Sequence, residues 1–237
     1  MPKSPIIGIY GNSDSGKTRL IEELLEKLKA EDYSLATIKH TLEEASLSPR
    51  GKDSWRHLQA GARLTALAAD NGTHLAFAER CSPEKLFDLI QEVGKWDLVL
   101  VEGYKEHPFP KIAVGTIDSR DYTIYRYRGN LTECVEAIKK EMEVQKIAAE
   151  LGEIDCGKCG FPDCHTMAEE IVAGNQNRED CLSLPTEQLT VCVNGKTLGL
   201  SDFPRDLIRG TVKGMMRSLK GVDKEVKSAT IEIDDPD

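Results

Sequence analysis

Eight consecutive residues, Gly11-Asn12-Ser13-Asp14-Ser15-Gly16-Lys17-Thr18, have the types and spacing of a loop that grips phosphates. They fit G-x-x-x-x-G-K-[S/T] at every fixed position, a match that chance produces in about one chain of this size in a hundred. Backbone N–H groups of such a loop, together with the N-terminus of the helix behind it, form an anion site. Gly11 and Gly16 let the backbone wrap closely around phosphates, Lys17 neutralises the β- and γ-phosphates, and Thr18 offers its hydroxyl to Mg²⁺. The bland alternative is a Gly-rich turn with an exposed lysine. Against it, an apolar strand runs into this stretch and an amphipathic helix runs out.

The second half of such a site is a carboxylate at the end of a buried strand. Asp97–Val101 leads directly into Glu102-Gly103, so Glu102 is the candidate to hold the Mg²⁺ shell or orient an attacking water. Read without function, it is a strand-end glutamate facing solvent. Lys39 and His40 end another strand and should emerge at the same carboxyl edge. Lys52 and Asp53 stand at the start of a helix; Asp53 is a second candidate acid, although Asp53 or Ser54 could simply cap that helix. The guanine-recognition pattern N-K-x-D has no match in the first 150 residues.

A different chemistry is concentrated further along. Cys156-x₂-Cys159-x₄-Cys164-x₁₆-Cys181 supplies four thiolates around a tight turn, with Gly157 and Gly160 leaving room for N–H groups to point at sulfur. Four thiolates suit a [4Fe–4S] cluster or structural zinc, and unligated thiols are the third reading. Zinc sites more often show two paired knuckles, whereas here one pair alone has C-x₂-C spacing, which favours the cluster. Residues 151–185 hold seven acids against two bases. That surround would favour an oxidised, low-potential cluster; equally it is a solvated face. Cys81, Cys134 and Cys192 stand apart and read as core or surface residues.

The elements that must position these groups alternate strand and helix through the first half. Ser4–Tyr10, Ser34–Lys39, Arg63–Ala69, His74–Ala78, Trp96–Val101 and Lys111–Thr116 read as strands. Lys17–Lys29, with Leu20, Ile21, Leu24, Leu25 and Leu28 at helical spacing, Arg50–Gly61 and Pro83–Val93 read as helices. The pattern predicts an α/β fold with a mainly parallel sheet flanked by helices. A long helix over Leu131–Leu151 stops at Gly152, after which the composition changes. From Glu187 a hairpin is expected around Asn194-Gly195, then a helix over about Pro204–Leu219 and a strand at Ala229–Ile233. The expected domains are 1–151, 152–186 and 187–237.

At 237 residues, with 40% apolar and 30% charged residues, the chain has the composition of a packed globular protein. A net charge of −9 argues against a nucleic-acid partner. No apolar run approaches membrane-helix length and no secretory leader is evident, so a cytoplasmic protein is expected.

With these residues in view, the first 150 or so resemble the molybdopterin-guanine dinucleotide biosynthesis protein B family. The resemblance rests on Ile9–Thr18, Ala36–His40, Gly51–His57 with Ala60–Ala62, Asp97–Lys105 and Pro110–Ile112, in that order and spacing. The chain departs from the family between His40 and Pro49, where Thr41–Ser48 replaces a His/Asp-rich stretch. Residues 153–185 separately resemble the small four-cysteine domain that binds [4Fe–4S] in several anaerobic redox proteins, through Cys156–Cys164 and Ala168–Ile171. The resemblance implies a P-loop fold and a GTP-binding, weakly GTP-hydrolysing adaptor in molybdenum or tungsten cofactor synthesis. Its partner would be the molybdopterin guanylyltransferase, which joins GMP to molybdopterin, or a molybdoenzyme client, and it allows a homodimer. GTP, Mg²⁺ and a [4Fe–4S] cluster are its implied ligands. Two other readings are a metal- or cluster-handling NTPase for a client metalloenzyme and a redox-responsive, non-catalytic adaptor.

Overall fold

A computed structural model describes residues 4–41, 50–183, 189, 191–193, 196–198, 200 and 202–219. In chain order the elements are β1 (Ile6–Gly11), α1 (Lys17–Lys29), β2 (Leu35–Lys39), α2 (Asp53–Gln59), β3 (Leu64–Ala69), β4 (Gly72–Phe77), α3 (Pro83–Val93), β5 (Leu98–Glu102), β6 (Lys111–Val114), β7 (Thr123–Tyr127) and α4 (Leu131–Leu151). They continue as α5 (Cys164–Val172), β8 (Val191–Val193), β9 (Lys196–Leu198) and α6 (Asp202–Ser218). The chain divides into two compact units after Met142.

In the first unit, five parallel strands lie in the order β2-β5-β1-β6-β7. Because side chains alternate faces along a strand, the apolar runs feed two cores at once. Ile7, Ile9, Leu98, Leu100, Ile112 and Val114 meet Leu20, Leu24 and Leu28 of α1 and Cys134, Val135 and Ile138 of α4. Ile38, Val99 and Val101 meet Phe87 of α3 and Phe109. Leu20, Leu24 and Leu28 are at most 1% exposed, each worth about 1.5–3 kcal/mol of transfer free energy as an upper bound. Ser82 fixes the start of α3 by accepting the Lys85 N–H, with Pro83 as the first helical residue.

Two findings in the first unit differ from what the sequence leads one to expect. β3 and β4 are strands as expected, but they form a separate antiparallel hairpin outside the parallel sheet. β7 was not anticipated: it is a short edge strand, half-buried along its whole length, so it carries no apolar alternation. The two units part inside α4, because the first half of that helix packs on the sheet while its second half belongs to another core.

In the second unit, Val144, Ile147, Ala148 and Leu151 of α4 pack with Cys164, Met167 and Ala168 of α5 and with Cys181. α5, absent from the sequence reading, begins where Asp163 accepts the Thr166 N–H at 2.6 Å. β8 and β9 pair antiparallel, with Val191 opposite Leu198 and Val193 opposite Lys196. The turn expected at Asn194-Gly195 and the strand expected at Ala229–Ile233 lie outside the described residues.

Candidate functional site

The phosphate loop spans the end of β1 and the start of α1. Gly16 has φ +90°, the left-handed conformation that glycine adopts without a Cβ penalty, and it caps α1. Gly11 is required for a different reason: a Cβ there would lie 2.5 Å from both the Ser15 hydroxyl and the Val114 carbonyl. The Asn12 carbonyl accepts the Ser15 N–H at 3.3 Å and the Lys17 ammonium at 2.6 Å, so the loop curls around its own lysine. Ser13 and Asp14 are exposed at its tip, and the buried Ser15 hydroxyl has no partner among the described residues.

Glu102 ends β5, next to β1 in the sheet, with Ile9 and Lys39 as its register partners. This pairing brings the Thr18 hydroxyl within 3.4 and 3.3 Å of the two Glu102 oxygens. Lys39, at the end of β2, reaches Glu102 Oε1 at 3.5 Å, and the carboxylate is mostly buried at 13% exposure. One hydroxyl and one carboxylate form an all-oxygen donor set suited to a hard cation such as Mg²⁺. A bound cation would have to displace Lys39 from its carboxylate, freeing that ammonium for a phosphate.

Beyond Glu102, His40 stacks on Tyr104 with ring centroids 4.1 Å apart, and its Nε2 lies 2.9 Å from Arg80. Burial first, then the Arg80 charge, holds the His40 imidazole below its ordinary pKa. Tyr104 and Arg80 were not singled out from sequence. Tyr104 directly follows Glu102-Gly103, whereas Arg80 lies in a segment with no motif. Asp53 begins α2, 89% exposed at its side chain, and pairs with Arg56 at 3.8 Å. Among the described residues no hydrogen bond or ion pair joins it to Thr18 or Glu102. Thr41 opens the stretch that departs from the family pattern, and residues 42–49 lie outside the described part.

The four cysteines come from two segments. Cys156 and Cys159 lie in the turn before α5, Cys164 is its first residue, and Cys181 follows a short turn after it. Cys164 and Cys181 are buried, and Cys159 packs against the same core. Cys156 donates to the Ser183 hydroxyl at 3.4 Å, two residues past Cys181. The Ser183 hydroxyl as a donor to the thiolate, with a backbone N–H from Lys158 second, lowers the Cys156 thiol pKa, whereas burial raises that of Cys164. The Asp155 carboxylate takes the Cys164 N–H at 2.8 Å and ties the loop to the helix start. Donor chemistry and the shared core fit a thiolate-bound metal centre. Among the described residues, however, no three His, Cys, Asp or Glu side chains converge as a metal-holding group.

Comparison with known proteins adds sequence kinship to this geometry. Residues 6–151 match the family described as "Molybdopterin guanine dinucleotide synthesis protein B", and residues 151–183 match one described as "Putative Fe-S cluster". A Methanocaldococcus jannaschii protein named "Putative molybdopterin-guanine dinucleotide biosynthesis adapter protein" is 32% identical over 97% of both chains. A Haemophilus influenzae "Molybdopterin-guanine dinucleotide biosynthesis adapter protein" is 41% identical over 46% of this chain and 61% of its own. Among solved structures, that of Bacillus subtilis MobB aligns with 58% of this chain and 97% of its own, at 23% identity and a TM-score of 0.48.

Proposed function

Since the chain belongs to the molybdopterin-guanine dinucleotide synthesis protein B family, we propose that it is a GTP-binding adaptor with weak GTPase activity. On this reading it assists attachment of GMP to molybdopterin during molybdenum or tungsten cofactor synthesis. The observation that carries it is the phosphate loop whose Thr18 hydroxyl faces the Glu102 carboxylate at 3.3–3.4 Å. Lys17 exchanges the Asn12 carbonyl for phosphate oxygens, and the N–H groups of Ser13–Thr18 cradle the same anion. Thr18 and Glu102 would hold Mg²⁺, which would supply neutralisation of the charge on the β- and γ-phosphates. Lys39 turns from Glu102 to the terminal phosphate. Asp53, at the start of α2, is proposed as a second acid of the site.

Cys156, Cys159, Cys164 and Cys181 are proposed to ligate a [4Fe–4S] cluster, which supplies one-electron redox capacity. Support comes from the matched Fe–S family and from three of the four thiols sharing one apolar core. Partners on this reading are the molybdopterin guanylyltransferase or a molybdoenzyme client. A homodimer is supported by the β3–β4 hairpin, where Leu64, Leu75 and Phe77 share one face by register and are 37–48% exposed. Residues 1–151, 152–186 and 187–237 are its proposed functional segments.

The test is an anaerobic pull-down from native extract with the protein loaded with GTP or with GDP. Recovery of the guanylyltransferase with the GTP form alone supports the reading; equal recovery with neither nucleotide state preferred refutes it. Glu102→Gln should bind GTP nearly normally and hydrolyse it far more slowly. Anaerobic protein should hold about four irons per chain, lost when any of the four cysteines becomes serine. Stoichiometric zinc without iron would refute the cluster.

A further inference from the structure

A cavity of about 480 Å³ opens beside the phosphate loop, lined by Asn12, Thr116, Ile117, Asp118 and Arg126. Asn12 is the second residue of the loop. Thr116–Asp118 follow β6, which is hydrogen-bonded to β1 on the side away from Glu102. Arg126 lies near the end of β7, the next strand out. Gly115 allows the end of β6 to close on the loop, since a Cβ there would stand 3.1 Å from that of Ser15. The cavity therefore lies at the carboxyl edge of the parallel sheet, where ligands of open α/β sheets bind.

A nucleotide held by its phosphates at Gly16–Thr18 must send its nucleoside to one side or the other. On the β5 side the space is filled by Glu102, Lys39 and the stacked His40–Tyr104 pair. On the β6 side it is open. Two features of that opening bear on what it would hold. Asp118 brings an exposed carboxylate, next to the half-buried aliphatic Ile117. Arg126 donates to the Gly115 carbonyl at 3.3 Å and to the Ser119 hydroxyl at 2.8 Å, bracing both ends of the segment that carries Asp118.

We propose that this cavity is the base-binding part of the nucleotide site and that Asp118 is the residue that selects guanine. Guanine carries two adjacent donors, N1–H and the C2 amino group, spaced to meet the two oxygens of one carboxylate. Adenine presents a lone pair at N1 and no amino group at C2, so the same carboxylate repels it. Ile117 packs against a face of the base. Arg126 is a positioning residue that keeps the carboxylate aimed by fixing the segment on either side of it. The guanine specificity is thus carried without an N-K-x-D motif, by a residue on the loop after β6. This inference rests on the nucleotide reading above.

The experiment is calorimetric titration of the full chain, in Mg²⁺, with GTP, ITP, XTP and ATP. A hydrogen bond to a charged group is worth about 1.5–3 kcal/mol, or about 10- to 150-fold in affinity. Wild type should therefore bind GTP at least about tenfold more tightly than ITP, which lacks the C2 amino group, and should discriminate further against ATP. Asp118→Asn should lose at least about tenfold for GTP and gain XTP, whose C2 carbonyl accepts from the new amide. Asp118→Ala should bind GTP and ITP equally and gain nothing. Arg126→Ala should narrow the GTP-to-ATP ratio without abolishing binding. If wild type binds ATP as tightly as GTP, or Asp118→Ala keeps the GTP-over-ITP preference, the base assignment is overturned while the phosphate loop stands. If wild type binds none of the four, this inference and the nucleotide reading fall together.

Discussion

Replacing Gly11 and Gly16 by alanine, one at a time, separates the two physical reasons for glycine in the phosphate loop. At Gly11 the backbone is ordinary, and an alanine would by itself stabilise by about 0.4–1 kcal/mol through the unfolded chain. The obstacle is space: its Cβ would stand 2.5 Å from the Ser15 hydroxyl and 2.5 Å from the Val114 carbonyl. The hydroxyl belongs to a side chain and can rotate. The carbonyl is part of the β1–β6 ladder, in which Gly11 is the register partner of Val114, and it can move only if that end of the sheet opens. Overpacking of this kind costs about 1–3 kcal/mol, and about 2–3 kcal/mol where backbone must move, leaving a net loss of about 1–2.6 kcal/mol. At about 3–5 °C per kcal/mol for a unit of this size, the apo protein should melt about 3–13 °C lower. At Gly16 the reverse holds, with nothing within 4 Å of an added Cβ but φ at +90°. The left-handed conformation costs about 1–2 kcal/mol, so the net loss there is about 0–1.6 kcal/mol. Both variants misplace N–H groups that cradle phosphate, so each should also lose most of the GTP-induced rise in melting temperature. Differential scanning fluorimetry with and without GTP·Mg²⁺ reads both quantities. A Gly11→Ala protein that melts within 1 °C of wild type and keeps its full nucleotide shift would refute the packing argument.

Lys17→Ala should leave the apo melting temperature nearly unchanged and abolish the nucleotide shift, which for wild type at 100-fold excess over Kd is worth about 2.7 kcal/mol; an undiminished shift would remove Lys17 from phosphate binding. Burial pushes the Cys134 thiol up to about 12, so at pH 8 only about one molecule in ten thousand carries the thiolate. Iodoacetamide should leave Cys134 unlabelled until the protein unfolds, while the exposed Cys156, its pKa lowered by Ser183, labels first in metal-free protein; mass spectrometry of digests checks the order. Chains ending after Met142 and after Leu151 should show equal GTP-induced stabilisation, since the sheet core draws on Leu131, Cys134, Val135, Ile138 and Met142 of α4, none of them beyond Met142. The longer one should aggregate more, because it bares Val144, Ile147, Ala148 and Leu151; light scattering compares them, and failure of both to bind GTP would refute an independent first unit.

Much of this protein was legible in order along the chain because the relevant forces are local. The phosphate loop is eight contiguous residues whose chemistry is written in their types. α1 and α3 carry their own periodicity and, for α3, its Ser82 cap. β1 and β5 are apolar enough to be recognised as strands buried on both faces, and that made Glu102 a candidate. What sequence could not supply is adjacency between distant segments. Which strand lies beside which is decided by backbone hydrogen bonding across the sheet, and the order β2-β5-β1-β6-β7 brings Thr18 and Lys39 each within 3.5 Å of Glu102. Lone residues such as Arg80, Asp118 and Arg126 gain meaning only from that packing, since nothing in their neighbours' types marks them. The same holds for the exclusion of β3 and β4 from the sheet, because a strand's alternation says which face is apolar but not which partner pairs with it. The cysteine spacing was visible at once. That Cys164 and Cys181 are buried against the second half of α4, while Cys156 is exposed and bonded to Ser183, was decided by tertiary packing, which alone sets how much water each sulfur sees.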